Sequence, residues 1–148
     1  MCGVRQAFEE QVGWAVDADV DFIIGETFSW LGEASLALEI IKSSGKPAVM
    51  TLAMHQEGMV REGLPMDEAC RRLQDAGADV VGLNCSRGPA TMLPAIDRIR
   101  KSVACHVAAL PVPSLEQRQH DHWDETMRGV GVRVSDGGKK VFVVRYRV

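Results

Sequence analysis

The sequence predicts an α/β fold, a parallel sheet covered by helices, and three observations predict it. Short apolar runs alternate with amphipathic stretches from Val4 to Pro113. The runs recur at intervals of roughly 26–32 residues, the length of a strand plus its return helix. The runs are also uninterrupted, without the every-second-residue polarity of a sheet that faces water on one side. Crossovers of this kind are right-handed. Periodicity by itself leaves a closed barrel and a doubly wound open sheet as alternatives, although no GxGxxG follows any strand, which weighs against a dinucleotide fold.

Taken in order, Val4 to Val16 reads as an amphipathic helix, with Val4, Ala7, Phe8, Val12, Ala15 and Val16 at helical spacing. Asp17-Ala18-Asp19 ends it, and Val20 to Gly25 follows as a short strand. Gly32 to Ser44 is the next helix, its stripe supplied by Ala34, Leu36, Ala37, Leu38, Ile40 and Ile41, and stopped by Gly45 and Pro47. Ala48 to Leu52 is a strand, and His55 to Pro65 a polar, glycine-bearing loop. A helix over Met66 to Ala76 ends at Gly77, and a strand over Asp79 to Leu83 follows. Pro89 to Ser102 is a helix and His106 to Leu110 a strand.

Beyond Pro113 the pattern breaks. Gln117 to Asp124 is a polar cluster read as a solvated loop, and Val130 to Val134 with Lys140 to Val148 reads as a β-hairpin or a disordered tail. An antiparallel hairpin does not continue a series of parallel units. Two regions are therefore expected, 1–113 and a divergent tail, 114–148.

The bulk properties exclude more than they identify. A formal net charge of −3 on 148 residues gives no reason to expect a nucleic-acid or membrane-surface partner. No apolar run approaches the ~20 residues of a membrane span, and Met1 to Gln6 has no signal-peptide core. Cys2, Cys70, Cys85 and Cys105 are widely spaced, with no CxxC, which suits a reducing, cytoplasmic setting.

In parallel α/β folds the chemistry sits where strands end. Glu26 stands at such an end, where a carboxylate either binds a substrate amine, acts as acid or base, or caps the next helix. Cys85 holds the matching place two strands later and reads as a metal ligand, a nucleophile or an inert thiol. Cys70, inside a helix, and Cys105, before a strand, read as packing residues, as do Trp14 and Trp30. His55 reads as a solvated loop histidine. His120-Asp121-His122 could hold a metal, but a polar run of this kind is more simply solvated.

Two strand motifs then stand out together: Asp21-Phe22-Ile23-Ile24-Gly25-Glu26-Thr27-Phe28, and Gly77-Ala78-Asp79-Val80-Val81-Gly82-Leu83-Asn84-Cys85. In this order and at this separation they resemble the homocysteine S-methyltransferase family, in particular its betaine-using branch, over about Val4 to Pro113. The resemblance implies part of a (β/α)₈ TIM barrel, about four βα units corresponding to strands four to seven, followed by an unrelated tail. It implies zinc-dependent transfer of a methyl group, from betaine or a related donor, to homocysteine, giving methionine. By the same resemblance Cys85 is the first of three zinc thiolates, Glu26 binds the amino group of homocysteine, and Thr27 and Asn84 shape the site.

The sequence departs from that family in two places. No cysteine follows Cys105 and no Cys-Cys pair is present, so two of the three zinc ligands are missing. The family's amino-terminal strand with its Asp-Gly-Gly motif is missing too. A full barrel typically needs ~250 residues. The expectation is an incomplete form, inactive by itself, whose exposed strand edges favour an oligomer; the alternative is a non-catalytic truncated form that associates with full-length subunits.

Overall fold

In the computed structural model the described residues are 2–112 and the strand backbones at 120–123, 130–134 and 140–144. The chain divides into two compact units, Met1–Val112 and Pro113–Val148.

The first unit runs α1 (Cys2–Asp17), β1 (Ile23–Phe28), α2 (Leu31–Ser43), β2 (Ala48–Leu52), α3 (Met66–Asp75), β3 (Val80–Asn84), α4 (Pro89–Ser102) and β4 (His106–Leu110). The strands are parallel and lie in the order β1-β2-β3-β4. This is an α/β fold with a four-stranded parallel sheet and four helices.

Register and strand alternation assign the two faces of this sheet. Ala48, Met50 and Leu52 on β2 stand beside Val81 and Leu83 on β3, and all are buried. They pack against helix stripes at i, i+3, i+4, i+7 spacing: Ala34, Ala37, Leu38 and Ile41 on α2, and Met66, Ala69, Cys70 and Leu73 on α3. Met92, Ala95 and Ile99 on α4 complete the layer. Each large side chain buried here contributes about 2 kcal/mol. The other face carries Ile24, Val49, Thr51, Val80, Gly82, Asn84, Ala108 and Leu110. It is open at the margins, where Ile24 is 53% and Leu110 48% exposed. Among the described residues no strand pairs with the outer edge of β1 or of β4.

Gly82 lets β3 and β4 approach, since a Cβ there would collide with the Ala108 backbone. No helix among the described residues is long and apolar enough to cross a membrane.

Three expectations are corrected. The first strand begins at Ile23 rather than Val20 and continues to Phe28, so Glu26 and Thr27 lie within it; pairing resumes at Phe28 with Leu52 and encloses them. Trp14 does not pack, being 62% exposed on the outer side of α1, while Trp30 is exposed with the Arg61 guanidinium 5.9 Å from its ring centre. In the second unit, β5 (His120–Trp123) pairs antiparallel with β6 (Val130–Val134), and β6 with β7 (Lys140–Val144). Part of the polar cluster expected as a loop is therefore strand, because ladder hydrogen bonding can override composition. The side chains of His120, Asp121 and His122 lie outside the described residues.

Candidate functional site

The site starts from an irregularity in β1. Gly25 pairs with Met50 and Phe28 with Leu52, so two residues of β1, Glu26 and Thr27, oppose the single Thr51 of β2. That is a β-bulge, a device that re-aims side chains and is common beside active sites. Thr27 takes φ +68° to make it, a left-handed conformation that is a genuine outlier for a β-branched residue.

Asn84, the last residue of β3, holds the bulge in place. Its Oδ1 accepts the Thr27 backbone N–H at 2.9 Å, and its Nδ2 donates to Thr27 Oγ1 at 2.6 Å. Because the Thr27 N–H can only donate, it fixes which way round the amide sits. The bridge crosses β2, the strand between, and leaves Asn84 only 1% exposed. The same Nδ2 lies 3.5 Å from Cys85 Sγ, within donating distance of the sulfur.

Cys85 and Ser86 follow with φ +55° and +60°. Left-handed non-glycine residues cost of order 1–3 kcal/mol each and persist where the surroundings over-determine them. Here β4 does so: Cys85 N–H donates to Leu110 O at 3.0 Å, and Val112 N–H to Arg87 O at 3.0 Å. The turn presents a half-buried Cys85 thiol at the carboxyl end of the sheet.

The structure thus brings together Thr27, Asn84 and Cys85 by direct hydrogen bonds, with Glu26 beside Thr27 on the bulge. Glu26 is half-buried. Sequence reasoning places Thr51 at the end of a strand but gives it no role; it is fully buried and its Oγ1 has no hydrogen-bond partner among the described residues. The available signal was a hydroxyl inside the otherwise apolar strand Ala48–Leu52.

The remaining candidates separate from this cluster. Cys70 is buried in α3, its thiol pushed up to about 12 chiefly by desolvation. Burial also raises Cys105, which packs against the core. Both are packing residues. His55 is exposed in the loop after β2. Among the described residues no three of His, Cys, Asp or Glu converge on a point. A catalytic zinc takes three protein ligands, and no such set forms around Cys85 among the described residues. The described residues do not by themselves fit a zinc centre.

Parallel strands in sequence order, covering helices and a polar cluster at the strands' carboxyl ends define an α/β protein and are consistent with part of a (β/α)₈ barrel. Residues 3–140 match the family model of homocysteine S-methyltransferase, and the chain belongs to that family. Betaine–homocysteine S-methyltransferase 1 of Xenopus laevis is 37% identical over 107 residues, covering 72% of this chain and 26% of that protein. The mouse protein of the same name is 35% identical over 100 residues, covering 68% of this chain and 24% of that one. S-methylmethionine–homocysteine S-methyltransferase of Pongo abelii is 34% identical over 100 residues, covering 68% and 27%. The chain spans about a quarter of the length of these curated relatives. Among solved structures, the apo homocysteine methyltransferase MmuM of Escherichia coli superposes with a TM-score of 0.61 at 16% identity, over 71% of this chain and 42% of that one. The carboxyl transferase domain of Rhizobium etli pyruvate carboxylase gives 0.55 at 13% identity, over 70% and 19%. At those identities the likeness is one of fold.

Proposed function

We propose that this chain supplies one wall of a homocysteine S-methyltransferase site, built on strands corresponding to the fourth to seventh of a (β/α)₈ barrel. The family match runs from residue 3 to residue 140 and so extends past 113, into the stretch expected as a divergent tail. The reaction transfers a methyl group from an onium donor to homocysteine: the sulfur attacks the methyl carbon, and the new S–C bond forms as the bond to the donor's nitrogen or sulfur breaks. The product is methionine, made in the cytoplasm. Betaine is the favoured donor, since most of the matched relatives use that name, and S-methylmethionine is the alternative.

The observation that carries this reading is the hydrogen-bonded set Thr27–Asn84–Cys85 beside Glu26 at the strands' carboxyl ends. Glu26 binds the ammonium of homocysteine, and a carboxylate facing an ammonium orients the sulfur toward the donor. Thr27 and Asn84 shape the wall between Glu26 and Cys85. Cys85 is one thiol toward a zinc centre, and the other ligands would have to come from outside the described residues.

The test is zinc per chain on the purified protein, with circular dichroism, gel filtration and a homocysteine titration. Folded protein that binds homocysteine without stoichiometric zinc is the expected result, and loss of binding in Glu26→Gln identifies the ammonium site. Stoichiometric zinc in the isolated chain would mean ligands outside the described set. No homocysteine binding by folded protein would overturn the reading.

A second reading, a non-catalytic form that assembles with full-length subunits, is favoured by the edges of β1 and β4, which have no strand partner among the described residues. Co-expression with a full-length relative should then yield a stable complex, and failure to co-purify sinks it.

A further inference from the structure

We propose that two copies of this chain close on each other head to tail, as the two half-walls of one eight-stranded barrel. The partner is a second copy rather than a full-length subunit, and the pairing holds whatever the site binds.

All four helices cover one face of the sheet. α2, α3 and α4 pack on the layer of Met50, Leu52, Val81 and Leu83, and α1 joins them through Phe8 against Phe28. A doubly wound sheet divides its helices between both faces, whereas a barrel wall carries them on one. The wall here is half a ring: four parallel strands in sequence order and four helices, against the eight of each that close a barrel. Because α1 precedes β1, in a closed pair it covers the junction of its own β1 with the other copy's β4, where a crossover helix is otherwise needed. A two-fold axis along the strands makes both junctions at once, each of them parallel, and leaves no free edge.

The two ends of the arc match each other. Trp14, Phe22 and Ile24 are bare at the β1 end, and Leu93, Leu110 and Val112 at the β4 end. Of the large apolar side chains exposed among the described residues, only Trp30 and Met59 lie elsewhere. The helix positions agree. Arg5 of α1 reaches Glu39 of α2 at 2.9 Å, and Trp14, nine residues on, lies half-way round the helix from it. On α4, Ser102 Oγ donates to Asp67 O of α3 at 3.4 Å, and Leu93, nine residues earlier, likewise lies on the far side.

Charge makes the occupant a second copy. From Cys2 to Phe22, Arg5 stands against Glu9, Glu10, Asp17, Asp19 and Asp21, a net −4. From Arg87 to Val112, Arg87, Arg98, Arg100 and Lys101 stand against Asp97, a net +3 with His106 neutral. Head-to-tail pairing sets unlike signs together at both junctions, whereas pairing like ends sets like signs together.

The test is analytical ultracentrifugation of the full 148-residue chain, with circular dichroism to establish that each variant is folded. The expected species is a dimer of about 32 kDa, twice the 16.2 kDa chain, and weakened by salt. Leu93 is exposed and outside the core. Leu93→Glu should weaken the dimer roughly a hundredfold, because it acts at both junctions. Arg100→Glu and Asp17→Lys reverse charges in the last turns of α4 and α1, which run parallel in the closed ring. Each alone should weaken self-association roughly tenfold. Mixed together they should pair as tightly as wild type, because reversed flank meets reversed flank at one junction and native meets native at the other. A monomer, or an assembly that keeps growing with concentration, overturns the proposal. So does a dimer indifferent to Leu93→Glu, or one whose two charge variants do not rescue each other. If a wild-type monomer protects the outer edges of β1 and β4 from amide exchange, a later part of this chain is the occupant and the proposal falls too.

Discussion

At the amino ends of its strands the sheet is tied down by contacts that cost the backbone little. Asp79 Oδ2 accepts the Ala48 N–H at 2.8 Å and the Lys42 ammonium at 2.9 Å, joining β3 to β2 and α2. Gln74 Oε1 accepts the N–H groups of Ala104 and Cys105 ahead of β4. The left-handed positions at this end fall on Gly45, Gly77 and Asp19, residues that tolerate them. At the carboxyl ends, the loop after β2 also uses glycines, Gly58 and Gly63, but the end of β1 and the turn after β3 do not. There Thr27, Cys85 and Ser86 take positive φ, and the buried Thr51 hydroxyl has no partner among the described residues. One end is arranged for stability and the other stores strain, the division expected of a barrel whose chemistry sits at one face.

The largest test of that contrast lies between the ends. Gly82→Ala forces a Cβ into the Ala108 backbone, separates β3 from β4 and should cost about 3 kcal/mol or more, read as loss of the cooperative urea transition. Next is Asn84→Ala, which leaves the Thr27 N–H and hydroxyl without their amide partner. A cost of about 2 kcal/mol in the urea midpoint, together with weakened homocysteine binding, is expected. A change in stability without a change in binding would make the bridge purely structural.

Asp79→Asn probes the other end and should cost about 1 kcal/mol at pH 7, since the carboxylate is half-exposed. The Ala48 N–H and then the Lys42 ammonium hold the Asp79 carboxyl below its ordinary value. Its contribution is therefore fully present above the unfolded value near ~4 and is lost as pH falls through the lower folded value. Wild type should lose stability across that acid window more steeply than Asp79→Asn; parallel curves would remove Asp79 from the account. The smallest effect is a gain. Ser86→Gly relieves a left-handed position and should stabilise by about 0.5 kcal/mol, seen as a slightly higher Tm, whereas the same change at an extended residue would destabilise.

Much of this molecule was legible before folding was considered. The bounds of β2, α4 and β4 coincide with the runs read from the sequence; Gly45 and Gly77 mark helix ends because they accept the left-handed φ that follows a helix, and Pro89 marks a helix start because its fixed φ suits the first turn. The family was legible too, in two motifs that end in the residues of the site. The interior of the site was not. Helix periodicity shows which stripe is buried but does not reveal that β1 gains a residue against β2, since a bulge is decided by pairing with another strand. That pairing enclosed Glu26 and Thr27 in β1 as a bulge, set Thr51 opposite them and made Asn84 a bridge across β2. Local propensity acts over a few residues and is written in the sequence. Register and the satisfaction of buried polar atoms depend on partners 24 to 57 positions away, and only tertiary structure brings those partners into contact.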